Sequence, residues 1–161
     1  MRKSGERHSY READYLKSVH RQILQAWVDG LESTSEVAAT LGKANSVVKK
    51  LQSEITSMMN EGLGSNSRAK AVRYAVTYGL VNFNRVDEIK PIRDFSDREK
   101  NVFTWICVGF NDREIAKQLG IEQTHVRQER KDILENLGIS STLMAVAWAV
   151  RKTIQMHQKK S

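Results

Sequence analysis

The stretch Glu36-Val37-Ala38-Ala39-Thr40-Leu41-Gly42 returns 78 residues later as Glu114-Ile115-Ala116-Lys117-Gln118-Leu119-Gly120. The landmarks around it return in the same order. Gly30-Leu31 matches Gly109-Phe110, Val48 matches Val126, Ile55 matches Ile133, Leu63-Gly64 matches Leu137-Gly138, and Ala71-Val72 with Ala75 matches Ala145-Val146 with Ala149. Apolar periodicity alone does not put glycines at matching boundaries, so the chain reads as two copies of one supersecondary unit. Two offsets change: the first copy has one extra residue between Gly30 and Glu36, and four extra between Ile55 and Leu63. Four residues are about one helical turn, so the first copy's third helix or its exit is longer without rotating its face.

Each unit reads as helical. Apolar residues recur at helical spacing almost throughout, strand-like alternation is absent and the single proline is Pro91. The expected fold is all-α: two tandem four-helix domains joined by a short linker. In the second domain, residues 95–157, Ser96 is an N-cap with Glu99 as its capping-box partner. That helix runs through Val102, Phe103, Ile106 and Cys107 and ends near Gly109. A short helix from Asp112 to Leu119 faces Ile115, Ala116 and Leu119 inward, Gly120 makes the turn, and a third helix from Gln123 to about Asn136 buries Val126 and Ile133. After Gly138 a fourth carries Ala145, Val146, Ala149 and Val150. The first domain covers residues 15–81, behind a basic arm of residues 1–14. Residues 82–94 form the linker, with Val86, Ile89 and Ile92 as its candidate docking side chains, and residues 158–161 are a tail.

What the chain lacks narrows its chemistry. Cys107 is the single cysteine, cannot form an internal bridge, and among Trp105, Ile106 and Val108 reads as a small buried hydrophobe. His8, His20, His125 and His157 are scattered, with no cysteine or carboxylate set at metal spacing, so neither metal nor cofactor is expected. Nucleotide-binding loops and Ser or Cys nucleophile signatures are missing, so no enzyme is expected. Trp27, Trp105 and Trp148 lie at apolar helix positions and read as core anchors. The charged start carries no leader-like apolar run and no stretch reaches membrane-spanning length, which reads as a cytoplasmic, nucleoid-associated chain with no membrane partner. The net charge of +7 comes from both halves, +4 from residues 1–82 and +3 from residues 83–161, and favours an acidic polymer as partner.

The stretch from Phe95 to Val150 resembles the LuxR-type helix-turn-helix domain of bacterial transcription regulators. The resemblance rests on Arg98-Glu99, Gly109, Glu114-Ile115-Ala116, Leu119-Gly120-Ile121, Val126, Ile133-Leu134, Leu137-Gly138 and Ala145-Val146. In the first half, Leu63 to Val76 is similar to the family's last-helix pattern, whereas Val19-His20 stands where Arg98-Glu99 stands in the second copy. The resemblance implies that the third helix enters the major groove of double-stranded DNA, about 12 Å wide. It puts Arg127, Gln128 and Lys131 at base-reading positions and Thr124 and His125 at phosphate positions, with Arg130 on a flank. The first-copy counterparts are Lys49, Lys50 and Ser53, with Ser46 near the helix start. Lysine is a flexible point charge and a poorer reader than arginine, so this copy is expected to add affinity more than sequence preference.

In this family the fourth helix commonly makes the dimer contact. The counterparts here are Ser67 to Leu80 and Thr142 to Ile154, so Tyr74, Tyr78, Met144 and Trp148 are candidate contacts of a homodimer as well as core residues. The thirteen linker residues reach at most roughly 43 Å at 3.3 Å per residue, against about 34 Å between adjacent major-groove faces. One chain thus has the reach for two half-sites, either by pairing its own fourth helices or as beads along the groove. Arg2, Lys3, Arg7 and Arg11 of the arm read as a solvated tail, with phosphate or minor-groove contact as the alternative. The competing reading of the whole chain is a protein-interaction module that grips RNA polymerase or another regulator, with DNA binding weak or nonspecific.

Overall fold

The helical spacing is realised as eight α-helices in the computed structural model, which describes residues 16–60 and 62–159, and no strand occurs among them. The first half holds α1 (Ser18–Val28), α2 (Thr34–Leu41), α3 (Asn45–Ser57) and α4 (Ser67–Thr77). The second holds α5 (Asp97–Val108), α6 (Asp112–Leu119), α7 (Gln123–Leu137) and α8 (Thr142–Lys159). The basic arm with Arg2, Lys3, Arg7 and Arg11 lies outside the described residues.

Local chemistry sets most of these boundaries. The Glu99 amide donates to the Ser96 hydroxyl at 3.1 Å while the Glu99 carboxylate accepts from the Ser96 amide at 2.8 Å, closing the expected capping box. In α1 the N-cap position is Lys17, not a serine. The Lys17 amide instead donates to Nδ1 of His20 at 3.1 Å, so histidine takes glutamate's place in reaching back to the helix start. With Nδ1 accepting, Nε2 carries the proton and donates to Glu54 at 2.8 Å, in a setting where His20 is 2% exposed. That hydrogen bond holds the half-buried Glu54 carboxyl below its ordinary range. After α2 and after α6 the chain turns through Gly42 and Gly120 with the same backbone angles, φ 64° and ψ 36°, in the left-handed region that favours glycine.

Packing follows one scheme in both halves. α1 and α2 rest on α3, and α5 and α6 rest on α7; Val48, Ile55, Val126 and Ile133 are the buried anchors. Across the middle, α4 lies along α8 in the most extensive helix contact of the molecule, α4 also reaches α5, and α8 also reaches α1. One continuous hydrophobic core runs through both halves, from Trp27 and Val72 to Val102 and Val146.

Several details depart from the sequence reading. Of the two places expected for the extra residues after Ile55, the structure puts them in the exit of α3, which itself ends at Ser57. There Leu63 is 73% exposed, whereas its assigned counterpart Leu137 is buried, and Met58 and Met59 close that part of the core instead. α8 runs on to Lys159, past the expected end at Ile154. The segment 82–94 docks through two of its three candidate side chains, Val86 and Ile89, and departs from the reading at Ile92. Ile92 stands 81% exposed and is held by its backbone, its amide donating to the Asn136 carbonyl at 3.0 Å. The buried Asn136 side chain accepts from the Arg93 amide and donates to the Arg93 carbonyl, both at 2.9 Å. The other end is held by Arg151, which lies 4.2 Å over the Phe83 ring and 3.4 Å from Asp87. A segment fixed at both ends does not extend, so its stretched length does not limit how the halves sit.

Candidate nucleic-acid interface

α7 is anchored from below and open above. Val126 and Ile133 are buried along its inner side, and Thr124, His125, Arg127, Gln128 and Lys131 are exposed on the outside, with Arg130 half-buried. α3 has the same build, with Val48 and Ile55 inside and Ser46, Lys49, Lys50 and Ser53 outside. All ten residues therefore lie on the two outward helix faces or, for Arg130, at their edge.

The two faces differ in how their polar groups are employed. On α7, Arg130 donates to Asp112 at 2.9 Å and the Arg127 guanidinium lies 3.7 Å from the same carboxylate. Gln128 donates its amide to Asp132 at 2.9 Å, one turn further on. Arg98 of α5 stands 3.9 Å from Glu129. On α3, the Ser53 hydroxyl donates to the Lys49 carbonyl at 3.0 Å, so it is occupied by its own backbone. Residues 34 and 52 stand 78 positions before 112 and 130, and there the ionic pair is replaced by a neutral one, Thr34 donating to Gln52 at 3.0 Å.

Sequence reading missed Asp112 and Thr34. Asp112 opens α6 and crosses to α7, fixing the angle between the two helices while setting out the two arginines. The signal was present as an acid at a helix start facing a basic face eighteen residues on, but it is legible only once the packing of α6 on α7 is known.

The helix starts carry a second distinction. α2, α4, α5 and α6 are capped by the side chains of Ser33, Asn66, Ser96 and Asn111, whereas Lys17, Ala44 and Glu122, which precede α1, α3 and α7, make no side-chain cap bond. Uncapped first-turn amides at the positive end of a helix dipole are suited to an anion such as phosphate. Thr124 and His125 sit in that first turn of α7, and Ser46 in that of α3.

Three of the four expected dimer contacts, Trp148, Met144 and Tyr74, are partly covered by this chain. Trp148 packs between Phe95 and Phe103, with ring centroids 6.0 and 6.2 Å away. Met144 lies against Gly30, where an added Cβ would stand 3.2 Å from its sulfur. Tyr74 is half-buried with Tyr78 at 4.5 Å, and Tyr78 itself is 53% exposed. Trp27 is buried, while Trp105 is half-buried and stacks on Phe110 at 4.7 Å. Cys107 is partly covered, and burial pushes its thiol up to about 12, which keeps it in the unreactive protonated form. Among the described residues no three His, Cys, Asp or Glu side chains converge as a metal site, and no single helix is long and apolar enough to cross a membrane.

Comparison with known proteins bears on the second half most directly. Residues 93–149, which hold α5 to α7 and the first part of α8, match the family described as bacterial regulatory proteins, luxR family. The match supplies one copy of the domain. Over 127 residues, 79% of this chain, the sequence is 26% identical to a probable transcriptional regulatory protein, SgaR, of Hyphomicrobium methylovorum. The aligned region covers 57% of that relative, so the chain spans little more than half of its length. No solved structure matches the chain.

Proposed function

We propose that this chain is a sequence-specific, double-stranded DNA-binding transcription regulator that acts at the nucleoid without catalysis, laying α7, and more weakly α3, in the major groove. The observation that carries the reading is the outward face of α7, where Arg127, Gln128 and Lys131 project from a helix held by buried Val126 and Ile133 in the segment that matches the luxR family. Arginine suits guanine and glutamine suits adenine by bidentate geometry, while Lys131 adds a charge to either a base or a phosphate. The uncapped first turns of α7 and α3 receive phosphates, aided by Thr124, His125 and Ser46. On α3, Lys49 and Lys50 contribute charge, and Ser53, its hydroxyl held by Lys49, reads little.

Selection of bound fragments from random duplex DNA at about physiological salt tests this. The expected result is an enriched sequence that is lost on Arg127→Ala with Lys131→Ala while circular dichroism keeps its helical signal. Lys49→Ala with Lys50→Ala is expected to weaken binding across sequences and to reduce the salt slope by up to about 0.9 per lost phosphate contact. No enrichment by the intact chain would leave its positive charge as nonspecific attraction, and would favour RNA polymerase or another regulator as the partner.

A further inference from the structure

We propose that the two halves are copies related by a pseudo-twofold axis, so that one chain, by itself, binds an inverted pair of unequal DNA half-sites. The inference rests on the DNA-binding reading above and adds the stoichiometry, the relative orientation of the half-sites and their inequality.

The contacts across the middle are reciprocal. The fourth helix of each half packs on the first helix of the other, α4 on α5 and α8 on α1. Residue by residue the same exchange holds. Gly30, at the end of α1, faces Met144 of α8; Gly109, at the end of α5, faces Lys70 of α4, and Lys70 stands 74 positions before Met144 just as Ala71 stands before Ala145. The loop after α1 reaches the start of α8, Glu32 accepting from the Ser141 hydroxyl at 2.8 Å and the Leu143 amide at 2.9 Å. The loop after α5 reaches the start of α4: the Gly109 carbonyl accepts the Asn66 amide at 2.8 Å, Asn111 donates to Ser65 at 2.8 Å, and Glu114 accepts the Ser65 hydroxyl at 2.7 Å. When patch i of one copy meets patch j of the other, and j meets i in return, the relation is a rotation by half a turn. A head-to-tail array would show one of these contacts without its reverse.

α3 and α7 inherit the same relation. A protein twofold is mirrored by inverted half-sites on the duplex. Direct repeats would require a translation along the groove that this packing does not supply. Joining the copies in one chain also frees them to differ, and they do: Arg127, Gln128 and Lys131 stand opposite Lys49, Lys50 and Ser53. One half-site is read strongly and the other weakly, so the complex has a fixed direction on DNA. The two fourth helices pack on each other within one chain, so one copy of the chain serves each site.

The test takes the intact chain through selection from random duplexes, then measures by sedimentation the mass of the free chain and of its complex with the selected duplex. Expected are a free chain of 18.4 kDa, one chain per duplex, and a bipartite inverted motif with one strong and one weak half. Single-base changes in the strong half should lower affinity about 5- to 150-fold each. Lys49→Ala with Lys50→Ala, both on the surface, should weaken binding to every duplex and fade what preference the weak half has, while the preference in the strong half stays. A direct-repeat motif, a symmetric palindrome bound by two chains, or loss spread equally over both halves overturns the inference while leaving DNA recognition intact. A dimeric free chain overturns it whatever the DNA result. No enriched sequence at all overturns the DNA reading, and this inference with it.

Discussion

The Glu32 carboxylate accepts the Ser141 hydroxyl at 2.8 Å across 109 positions of chain, tying the loop after α1 to the start of α8. Ser141 is buried, and its hydroxyl also accepts the Met144 amide at 3.1 Å, so it caps α8 while holding the two halves together.

Glu32→Ala removes a charged acceptor from a largely covered site, leaving the Leu143 amide and the Ser141 hydroxyl without their partner. A loss of about 1–3 kcal/mol is expected, read as a fall in Tm of roughly 2–12 °C for a chain of this size. Ser141→Ala should cost about as much, through the lost cap, and the double variant should cost less than the sum because the two changes remove one shared bond.

Asp112→Asn keeps the size of the side chain and removes the charge that holds Arg130 at 2.9 Å and Arg127 at 3.7 Å. One acid fewer beside the basic face should raise affinity for nonspecific duplex DNA, and the loosened α6–α7 contact should lower discrimination between sequences. Equilibrium binding to selected and scrambled duplexes separates the two effects. A variant that discriminates as the parent does would show that Asp112 positions nothing.

Glu99 is 3% exposed and bonded twice by Arg93, at 2.7 and 2.8 Å, and the guanidinium holds its carboxyl at about 2. The unfolded value is about 4.3, so the folded state binds this proton more weakly than the unfolded state does. The resulting stability is present above the unfolded pKa and is lost as pH falls from about 4.5 towards 2. Arg93 is half exposed and solvent screens the pair, so the contribution is on the order of 1–2 kcal/mol. Urea midpoints recorded from pH 7 to pH 2.5 should fall on the acid side in the parent, with a shallower fall in Glu99→Gln.

Gly109 and Gly120 both have positive φ, 105° and 64°, but only the first is crowded: a Cβ there would stand 2.7 Å from Lys70 Cγ, whereas one at Gly120 meets nothing within 4 Å. Gly120→Ala should therefore cost only the left-handed backbone term, about 1–2 kcal/mol. Gly109→Ala should cost clearly more, because α4 must shift against α5. Equal denaturation midpoints for the two variants would show that the approach of the halves at Gly109 is not tight.

The helices were legible because what makes them is local. The Ser96–Glu99 box, the run from Asp112 to Leu119 and the glycines at 42, 109, 120 and 138 act over three or four residues, and the structure contains them where the sequence has them. The same holds for the outward faces of α3 and α7, which follow from the spacing of Val48 to Ile55 and of Val126 to Ile133. The sequence pairing of Leu63 with Leu137 does not extend to burial: Leu63 lies on the longer exit of α3 and faces solvent, while Leu137 is buried. His20 was visible only as a departure from Arg98-Glu99, since its role needs both Lys17 and, from α3, Glu54.

By itself, then, the sequence determined the helix order, the caps and turns, the buried anchors and the side chains that α3 and α7 carry outward, all consequences of contacts between residues a turn apart. Only the tertiary structure decided that α4 and α8 lie together, that each also covers the first helix of the opposite half, that residues 82–94 form a strap, and that Asp112 holds two arginines of α7. The physical reason is that apolar helix stripes are chemically alike and match one another in many pairings. Which pair forms is settled by shape at close approach, at Gly30 and Gly109, and by single polar bonds such as Glu32 to Ser141, whose partners are far apart in the chain and meet only when it has folded.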